Sequence, residues 1–417
     1  MTASSHLPVK PPSNDLTFLC DVRVLDLTTS IAGPYATQLL GDLGATVVKI
    51  ERPDGGDDAR AWGPPFLDGE SLWFLAVNRN KQSVALDYAR DTGATVLKRL
   101  VEAADVVVIN QVERVQRKLG IDYDSLAAIR PGLIHVSVTG FGLEGERKDM
   151  PCYDLIAEGY SGVMDLTGDA GASPQKVGTP AADLLAGQDA ALGVLAALLR
   201  RQRTKQGCQV DVALVDSMTR FMAPRIVPFL GSGELPKRSG GRDSVIAIYQ
   251  TFDTADEPLT LGLGNDRIWA RFWECVGNPA YGRNPEFGSN ALRRKNRPEI
   301  VERIQSVLST KPRHEWLSLL SKARVPAGPI YRVDEVSRDP LLLERGLFYR
   351  VVADGRDVPQ VGLGIRFDGE SESCHRPPPT LGQDNERVLR EWLSLSADQI
   401  RELRPTETDR QPKETPT

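Results

Sequence analysis

The residue whose setting points most directly to chemistry is an aspartate at the head of a long apolar stretch. Asp183 closes Val177-Gly-Thr-Pro-Ala-Ala-Asp183 and opens the run that continues to Leu199. Thr179 has the side chain of a helix cap and Pro180 suits a first helical position, so Asp183 is expected in or just after the first turn. The positive end of a helix favours the ionised carboxylate. An ionised carboxylate at a dry helix end can attack an acyl group and form a covalent intermediate. Acidic residues in first turns also serve simply to stabilise helices, and the local sequence leaves both roles open.

The other reactive types are sparse. Four His (His6, His135, His314 and His375) share no metal-ligand spacing, so no metal is expected. Five Cys (Cys20, Cys152, Cys208, Cys275 and Cys374) are odd in number and far apart, which argues against disulfides and zinc and fits a reducing cytoplasm. Gly140-Phe-Gly-Leu-Glu-Gly145 matches GxGxxG after an expected strand, but polar Glu146–Pro151 follows where a helix should open. We read it as a turn that brings backbone close to a ligand, not as a dinucleotide fingerprint. Arg52, Arg114, Arg117 and Lys118 stand at the ends of early strands, where such residues hold phosphates or face solvent. Trp62, Phe66, Trp73 and Phe74 read as core or interface.

These residues must be carried by an ordered scaffold, and the composition allows one. The chain has 417 residues, 41% hydrophobic and 26% charged, with a net charge of −5. Disorder and collagen are excluded, and the length corresponds to two or three domains. Near-balanced charge without a basic block argues against nucleic acid as a partner. Val22–Thr28 reads as a strand, Tyr35–Leu43 as a helix and Thr46–Ile50 as a second strand. The alternation continues through helix Thr92–Ala103, strand Ala104–Asn110, helix Tyr123–Ile129 and strand Leu133–Thr139. This is the pattern of a doubly wound, Rossmann-like α/β domain, whose ligands sit at the carboxyl ends of its strands. Those ends fall near 28–34, 50–56, 110–118 and 139–145. Ala182–Leu199 is interrupted by Asp183, Gln188 and Asp189, so it reads as a buried helix and not a membrane span.

The expected division is a loose tail over 1–15 and a large domain over 16–215. A linker helix and loop follow over 216–245, then a smaller α/β domain over 246–332. The chain returns to the large domain over 333–405 and ends in a polar tail over 406–417.

Several blocks, taken in order, resemble one family. Val24–Asp58 (VLDLTTSIAGPYATQLLGDLGATVVKIERPDGGDD) looks like the opening of family III CoA-transferases, the group of formyl-CoA:oxalate and carnitine CoA-transferases. Matching blocks follow at Asn78–Asp87, Ala104–Asn110, Ser137–Gly142, Tyr153–Gly162, Thr179–Gly187, Val325–Pro329, Asp339–Pro340 and Pro379–Gly382. The resemblance spans roughly residues 20–405.

It implies that Asp183 is the catalytic aspartate, which passes through an aspartyl anhydride and an aspartyl-CoA thioester. It implies CoA and acyl-CoA as substrates with no tightly bound cofactor, a small carboxylic acid as acceptor, and succinyl-CoA as a donor. It implies CoA contacts at Ile31, Ala32, Arg52, Asn110 and Lys118, with Tyr153 beside the site and Gly240-Gly241 as a short mobile glycine loop. In place of the family's Asn-Phe-x-Pro-Gly run, this chain has Asn110-Gln-Val-Glu-Arg114. An interlocked homodimer is implied, with the acyl site between domains.

The related α-methylacyl-CoA racemases carry a His in a Gly-His-Asp block. Here Pro151-Cys-Tyr-Asp154 stands in that place, so the second partner of an acid–base pair is missing. A CoA-dependent lyase and a non-catalytic CoA-binding subunit are further alternatives, and the retained Thr179–Gly187 block speaks against the second. Basic residues at Arg238–Arg242, Arg220 or Arg225 are candidates for holding a second carboxylate.

Overall fold

The apolar runs read as strands pair with one another as a parallel sheet. The computed structural model describes residues 4–11, 16–353, 355–369, 374, 376–396 and 399–400. Among the described residues its central sheet has six strands: β1 (Arg23–Asp26), β2 (Thr46–Glu51), β3 (Lys81–Ala85), β4 (Val106–Ile109), β5 (Ile134–Thr139) and β6 (Cys208–Ala213). Every ladder is parallel. The spatial order is β3-β2-β1-β4-β5-β6, that of a doubly wound dinucleotide-type fold. β4 is Val-Val-Val-Ile with every residue fully buried, as a strand covered on both faces requires.

Helices α1 (Ala32–Asp42), α2 (Asp91–Ala103), α3 (Glu113–Leu119), α4 (Tyr123–Ile129), α5 (Asp154–Ser161), α6 (Ala181–Thr204) and α7 (Leu214–Phe221) accompany these strands. By length and composition α6 is apolar enough to cross a membrane. In the fold, however, it buries Ala182, Ala186, Gly187, Ala190, Val194 and Leu198, packing on α1 and on β5 and β6.

The chain divides into two units. One takes the chain through Ser161, then Gly178–Phe221 and the return from Arg338; the other takes Gly162–Val177 and Met222–Ser337. The second unit contains α8 (Ala223–Ser232) and an antiparallel sheet of β7 (Tyr249–Phe252), β8 (Leu259–Gly262) and β9 (Ala327–Pro329). It also contains α9 (Asp266–Cys275), α10 (Arg297–Leu308) and α11 (Arg313–Lys322) around a core that includes Trp269, Phe272, Trp273, Ile304 and Trp316. On its return the chain adds the hairpin β10 (Phe348–Ala353) and β11 (Arg356–Val361). It then adds α12 (Asn385–Leu393), whose Val388 and Leu389 join Leu25, Leu100 and Val107 in the core of the first unit.

The structure departs from the expected elements in identifiable ways. The single helix expected after Asp216 is two, α7 and α8, broken at Met222 just before Pro224, which has no N–H to continue the helical ladder. Strand β3 is not evident from the sequence, because Lys81, Gln82 and Ser83 are polar. Lys81 and Ser83 are buried by partners on β1 and β2. Within the stretch read as a loose tail, Val9–Lys10 pairs in parallel with Arg350–Val351. The polar tail over 406–417 lies outside the described residues.

Candidate active site

Helix α6 begins one residue later than its cap signals promised. Pro180 has φ −70° and ψ 77°, which is not helical, so it takes the cap position itself and Thr179 makes no cap bond. The missing acceptor comes from another part of the chain. Asp154, in the first turn of α5, accepts through Oδ1 from the Ala182 amide at 2.8 Å and the Asp183 amide at 3.3 Å. A carboxylate on two amides of a helix N-terminus is a strong cap.

Asp183 itself is half-buried, and among the described residues no side-chain donor reaches its carboxylate. Burial, with the Asp154 charge adding to it, pushes the Asp183 carboxyl up to about 7. The expectation that the helix end would hold this group ionised is therefore corrected. The first amides of α6 are already spent on Asp154, and burial, with the Asp154 charge, works against ionisation. Near neutral pH Asp183 is an accessible carboxyl divided between its two forms, as an acyl-accepting nucleophile of tuned basicity would be.

Burial, and then the Asp183 charge, push the Cys152 thiol up to about 11, so it stays protonated and is not a competing nucleophile. The segment carrying it crosses Gly140 so closely that a Cβ there would lie 2.1 Å from the Cβ of Cys152. Farther along the same motif, the Leu143 amide donates to Asp211 at 3.0 Å. Gly140 thus serves close approach within the protein.

The first β–α connection lies at the topological switch point between β1 and β4. Asn110, just past β4, clamps it from both sides. Its Nδ2 donates to the Thr29 carbonyl at 2.8 Å and its Oδ1 accepts from the Thr29 amide at 3.1 Å. Ser30 adopts φ 71° and donates from its amide to Asp57 at 2.9 Å. Ile31 and Ala32 then start α1, both buried. This start packs against α6 at Gly187, where a Cβ would lie 2.7 Å from the Ala32 carbonyl oxygen. Gly187 stands about one turn beyond Asp183. The structure therefore brings Ile31, Ala32, Asn110 and the head of α6 into one neighbourhood.

Beneath this connection lies a buried charge cluster that the sequence reading missed. Lys49 Nζ donates to the Thr28 carbonyl at 2.7 Å and pairs with Asp57 at 2.8 Å. Lys81 Nζ donates to the Pro34 carbonyl at 2.8 Å, Asn78 at 2.7 Å and Asp26 at 2.9 Å. Asp26 also accepts from Thr28 and Thr37. Burial alone would raise Asp26, but Lys49 and Lys81 outweigh it and hold the carboxyl well below the usual range. Burial brings Lys81 down to about 8 against the pull of Asp26. The available signal was a lysine in the middle of Thr46-Val-Val-Lys-Ile-Glu51, an otherwise apolar strand that had to find it a partner.

Arg52 follows β2 and is largely exposed, bonded to Asp58 at 2.5 Å and twice to the Gly56 carbonyl at 3.2 Å. Lys118, in the last turn of α3, is exposed and unpaired among the described residues. Tyr153 is 66% exposed just before α5. Gly240 and Gly241 belong to the second unit, where they help line a cavity of about 590 Å³. Gly240 has φ +62° and donates to the Gly168 carbonyl at 2.9 Å. Among the described residues no three His, Cys, Asp or Glu side chains converge as a metal site would need.

A family model described as CoA-transferase family III matches residues 19–385. The chain is 36% identical over 393 residues to a succinate–glutarate CoA-transferase of Agrobacterium fabrum, covering 93% of this chain and 97% of that one. It is 32% identical over 376 residues to an acetyl-CoA:oxalate CoA-transferase of Acetobacter aceti, covering 90% and 95%. Among solved structures, a CAIB/BAIF family protein from Brucella suis superposes with a TM-score of 0.79 at 35% identity, covering 89% of this chain and 98% of that one.

Proposed function

The chain belongs to CoA-transferase family III, and from that premise we propose that it moves CoA from a succinyl-CoA-type donor to a small dicarboxylic acid through covalent intermediates on Asp183. The observation that carries this reading is the Asp183 carboxyl. It is half-buried, free of protein donors among the described residues, and raised in basicity at the head of α6.

In the proposed cycle the ionised Asp183 attacks the donor thioester carbonyl. The C–S bond breaks and CoA thiolate leaves, so that Asp183 holds the acyl group as a mixed anhydride. The thiolate then attacks the aspartyl carbonyl, releases the donor acid as its carboxylate and leaves an aspartyl-CoA thioester. The acceptor carboxylate attacks that thioester and expels the thiolate, which takes the new acyl group and frees Asp183.

The amides of Ala182 and Asp183 are held by Asp154, so they are not free to stabilise the oxyanions of these steps. CoA is an exchanging substrate here. Its adenosine end is assigned to Arg52 and Lys118, exposed cations at strand and helix ends. We also assign a homodimer. Leu192 and Leu199 on α6, with Leu155, Ile156 and Tyr160 on α5, are large apolar side chains left exposed on the single chain.

The test is to mix the protein with succinyl-CoA and glutarate, quench, and examine peptides containing residue 183 by mass spectrometry. An acyl, CoA or hydroxylamine adduct at Asp183 is expected. Turnover with that residue never modified would refute the reading. Light scattering should give a mass near twice 45.7 kDa.

A further inference from the structure

Ser30 holds a conformation that its own chemistry disfavours. Its φ of 71° lies in the left-handed region, which a residue with a Cβ enters only at a cost. Lys205 and Ser394 also have positive φ, but each ends a helix, α6 and α12, where that conformation is the ordinary terminal turn. Ser30 instead stands before a helix, between β1 and α1, at the switch point where sheets of this kind bind ligands. Contacts from outside the connection must hold it there.

Side chains from three other places supply those contacts. Lys49, on β2, donates to the Thr28 carbonyl at 2.7 Å, and Asn110, past β4, holds both the amide and the carbonyl of Thr29. Asp57 takes the strained residue itself, accepting through Oδ1 from the Ser30 amide at 2.9 Å. Asp57 is buried and fixed from every side. Its Oδ1 also accepts from the Ala59 amide at 2.9 Å, and its Oδ2 pairs with Lys49 Nζ at 2.8 Å. Its own amide donates to Glu51 at 3.1 Å. Glu51 in turn accepts from Arg60 at 2.7 and 2.8 Å and from Ser83 at 2.6 Å. A buried network satisfied in this way is rigid.

What the network fixes is the start of α1. Among the described residues no side chain caps that helix, so its departure from the sheet is set by the turn at Ser30. The turn is tight: a Cβ on Gly33 would lie 2.4 Å from the Cβ of Thr28. Beyond it, α1 lies on α6 backbone to backbone. A Cβ on Gly187 would meet the Ala32 carbonyl oxygen at 2.7 Å and the Ala36 amide nitrogen at 3.3 Å. Elements packed this closely transmit a displacement from one to the other. Asp183 stands about one turn before Gly187 on the same helix.

We propose that Asp57 is a positioning residue, which acts through Ser30. Its bond to the Ser30 amide keeps the left-handed turn, the turn sets where α1 begins, and α1 sets the place of the head of α6. That this serves turnover at Asp183 rests on the transferase reading above; that Asp57 fixes the connection does not.

The experiment uses the full-length protein with succinyl-CoA and glutarate, and follows kcat, KM, the melting temperature and hydrogen exchange at residues 28–33. Both oxygens of Asp57 face donors, so an asparagine must turn its Nδ2 toward one of them. Asp57→Asn should therefore speed exchange at 28–33. It should also lower kcat by about tenfold or more with a smaller rise in KM, because a small displacement at a reacting centre is costly. Adding Ser30→Gly should recover several-fold of the loss in kcat, because glycine takes the left-handed conformation without strain. A purely structural Asp57 would lower the melting temperature, leave kcat of the folded protein unmoved and give glycine nothing to rescue. Ser30→Val leaves the Lys49–Asp57 pair in place and puts a β-branched residue where it is most disfavoured. It should lower kcat by a comparable factor, and it decides the matter even where Asp57→Asn does not fold. Wild-type kcat and exchange in Asp57→Asn, a double variant no better than Asp57→Asn, or wild-type kcat in Ser30→Val would each overturn the positioning role and leave the transferase reading standing. A wild-type protein that transfers CoA to no acid would remove that reading instead. Exchange at 28–33 would then decide by itself, faster in Asp57→Asn supporting the role of Asp57 and unchanged overturning it.

Discussion

Asp26 and Asp183 are carboxylates of the same unit, and their surroundings drive them in opposite directions. Asp26 is fully buried between Lys49 and Lys81, accepts from two threonines, and is held far below the usual carboxylate range. Asp183 is half-buried, accepts from no side chain among the described residues, and faces the charge of Asp154, so it rises to about 7. Burial penalises the charge in both places; compensation decides the outcome. The compensated carboxylate holds the backbone of the first connection through its two lysines. The uncompensated one keeps its lone pairs available for a reaction. A half-buried acid that no side chain pairs with among the described residues, in a fold otherwise careful to pair its charges, is the better mark of chemistry.

Substitutions can break this contrast, and the largest effect is expected at the reactive end. Asp183→Asn should lower CoA transfer on the order of 10⁴-fold or more, measured as kcat, because a nucleophile is removed. The fold should survive it. The folded-state pKa of Asp183 lies above the unfolded value. Its contribution to stability therefore declines as pH rises from about 4 to about 7 and stays low above that. Asp183→Asn should accordingly raise the unfolding midpoint at pH 8 and leave it near the wild-type value at pH 4. A lower midpoint at pH 8 would show that the ionised carboxylate has stabilising partners after all.

Asp26→Asn tests the other side. Removing the charge that two buried lysines share should cost roughly 3–5 kcal/mol in denaturant unfolding, the scale for breaking a buried pair. Loss of less than about 1 kcal/mol would mean that the cluster is not the anchor of the first connection.

A subtler change sharpens the comparison. The acid limb of kcat/KM for the acyl-CoA should lie near pH 7 in the wild type, activity rising as Asp183 ionises. Asp154→Asn retains an oxygen for the amides of Ala182 and Asp183 but removes the neighbouring charge, so the limb should move to lower pH. An unmoved limb would leave burial as the only cause of the shift. The smallest stability effect belongs to Arg52→Ala. Its exposed pair with Asp58 should contribute less than about 1 kcal/mol. The same change should raise the KM for CoA thioesters several-fold, more at low salt than at high.

Much of the scaffold was legible along the chain. The alternation of β-branched runs with amphipathic stretches foretold the parallel sheet, and α4 stands on the residues its pattern marks, Tyr123–Ile129. The Thr179–Gly187 block singled out Asp183. What failed to show was whatever depends on a partner distant in sequence. β3 is too polar to read as a strand until Asp26 and Glu51 are set beside Lys81 and Ser83. The cap of α6 comes from Asp154, 28 residues earlier, and not from the adjacent Thr179.

The sequence by itself therefore determined most of the elements and their order, and marked the carboxylate we propose as the nucleophile, because periodicity and residue type act over a few neighbouring positions. Only the tertiary structure decided which charges are compensated. Lys49 and Lys81 meet Asp26 through strand pairing, and Asp154 takes the amides that would have served Asp183. Electrostatic free energy depends on distance and burial, and neither is set until the chain has packed.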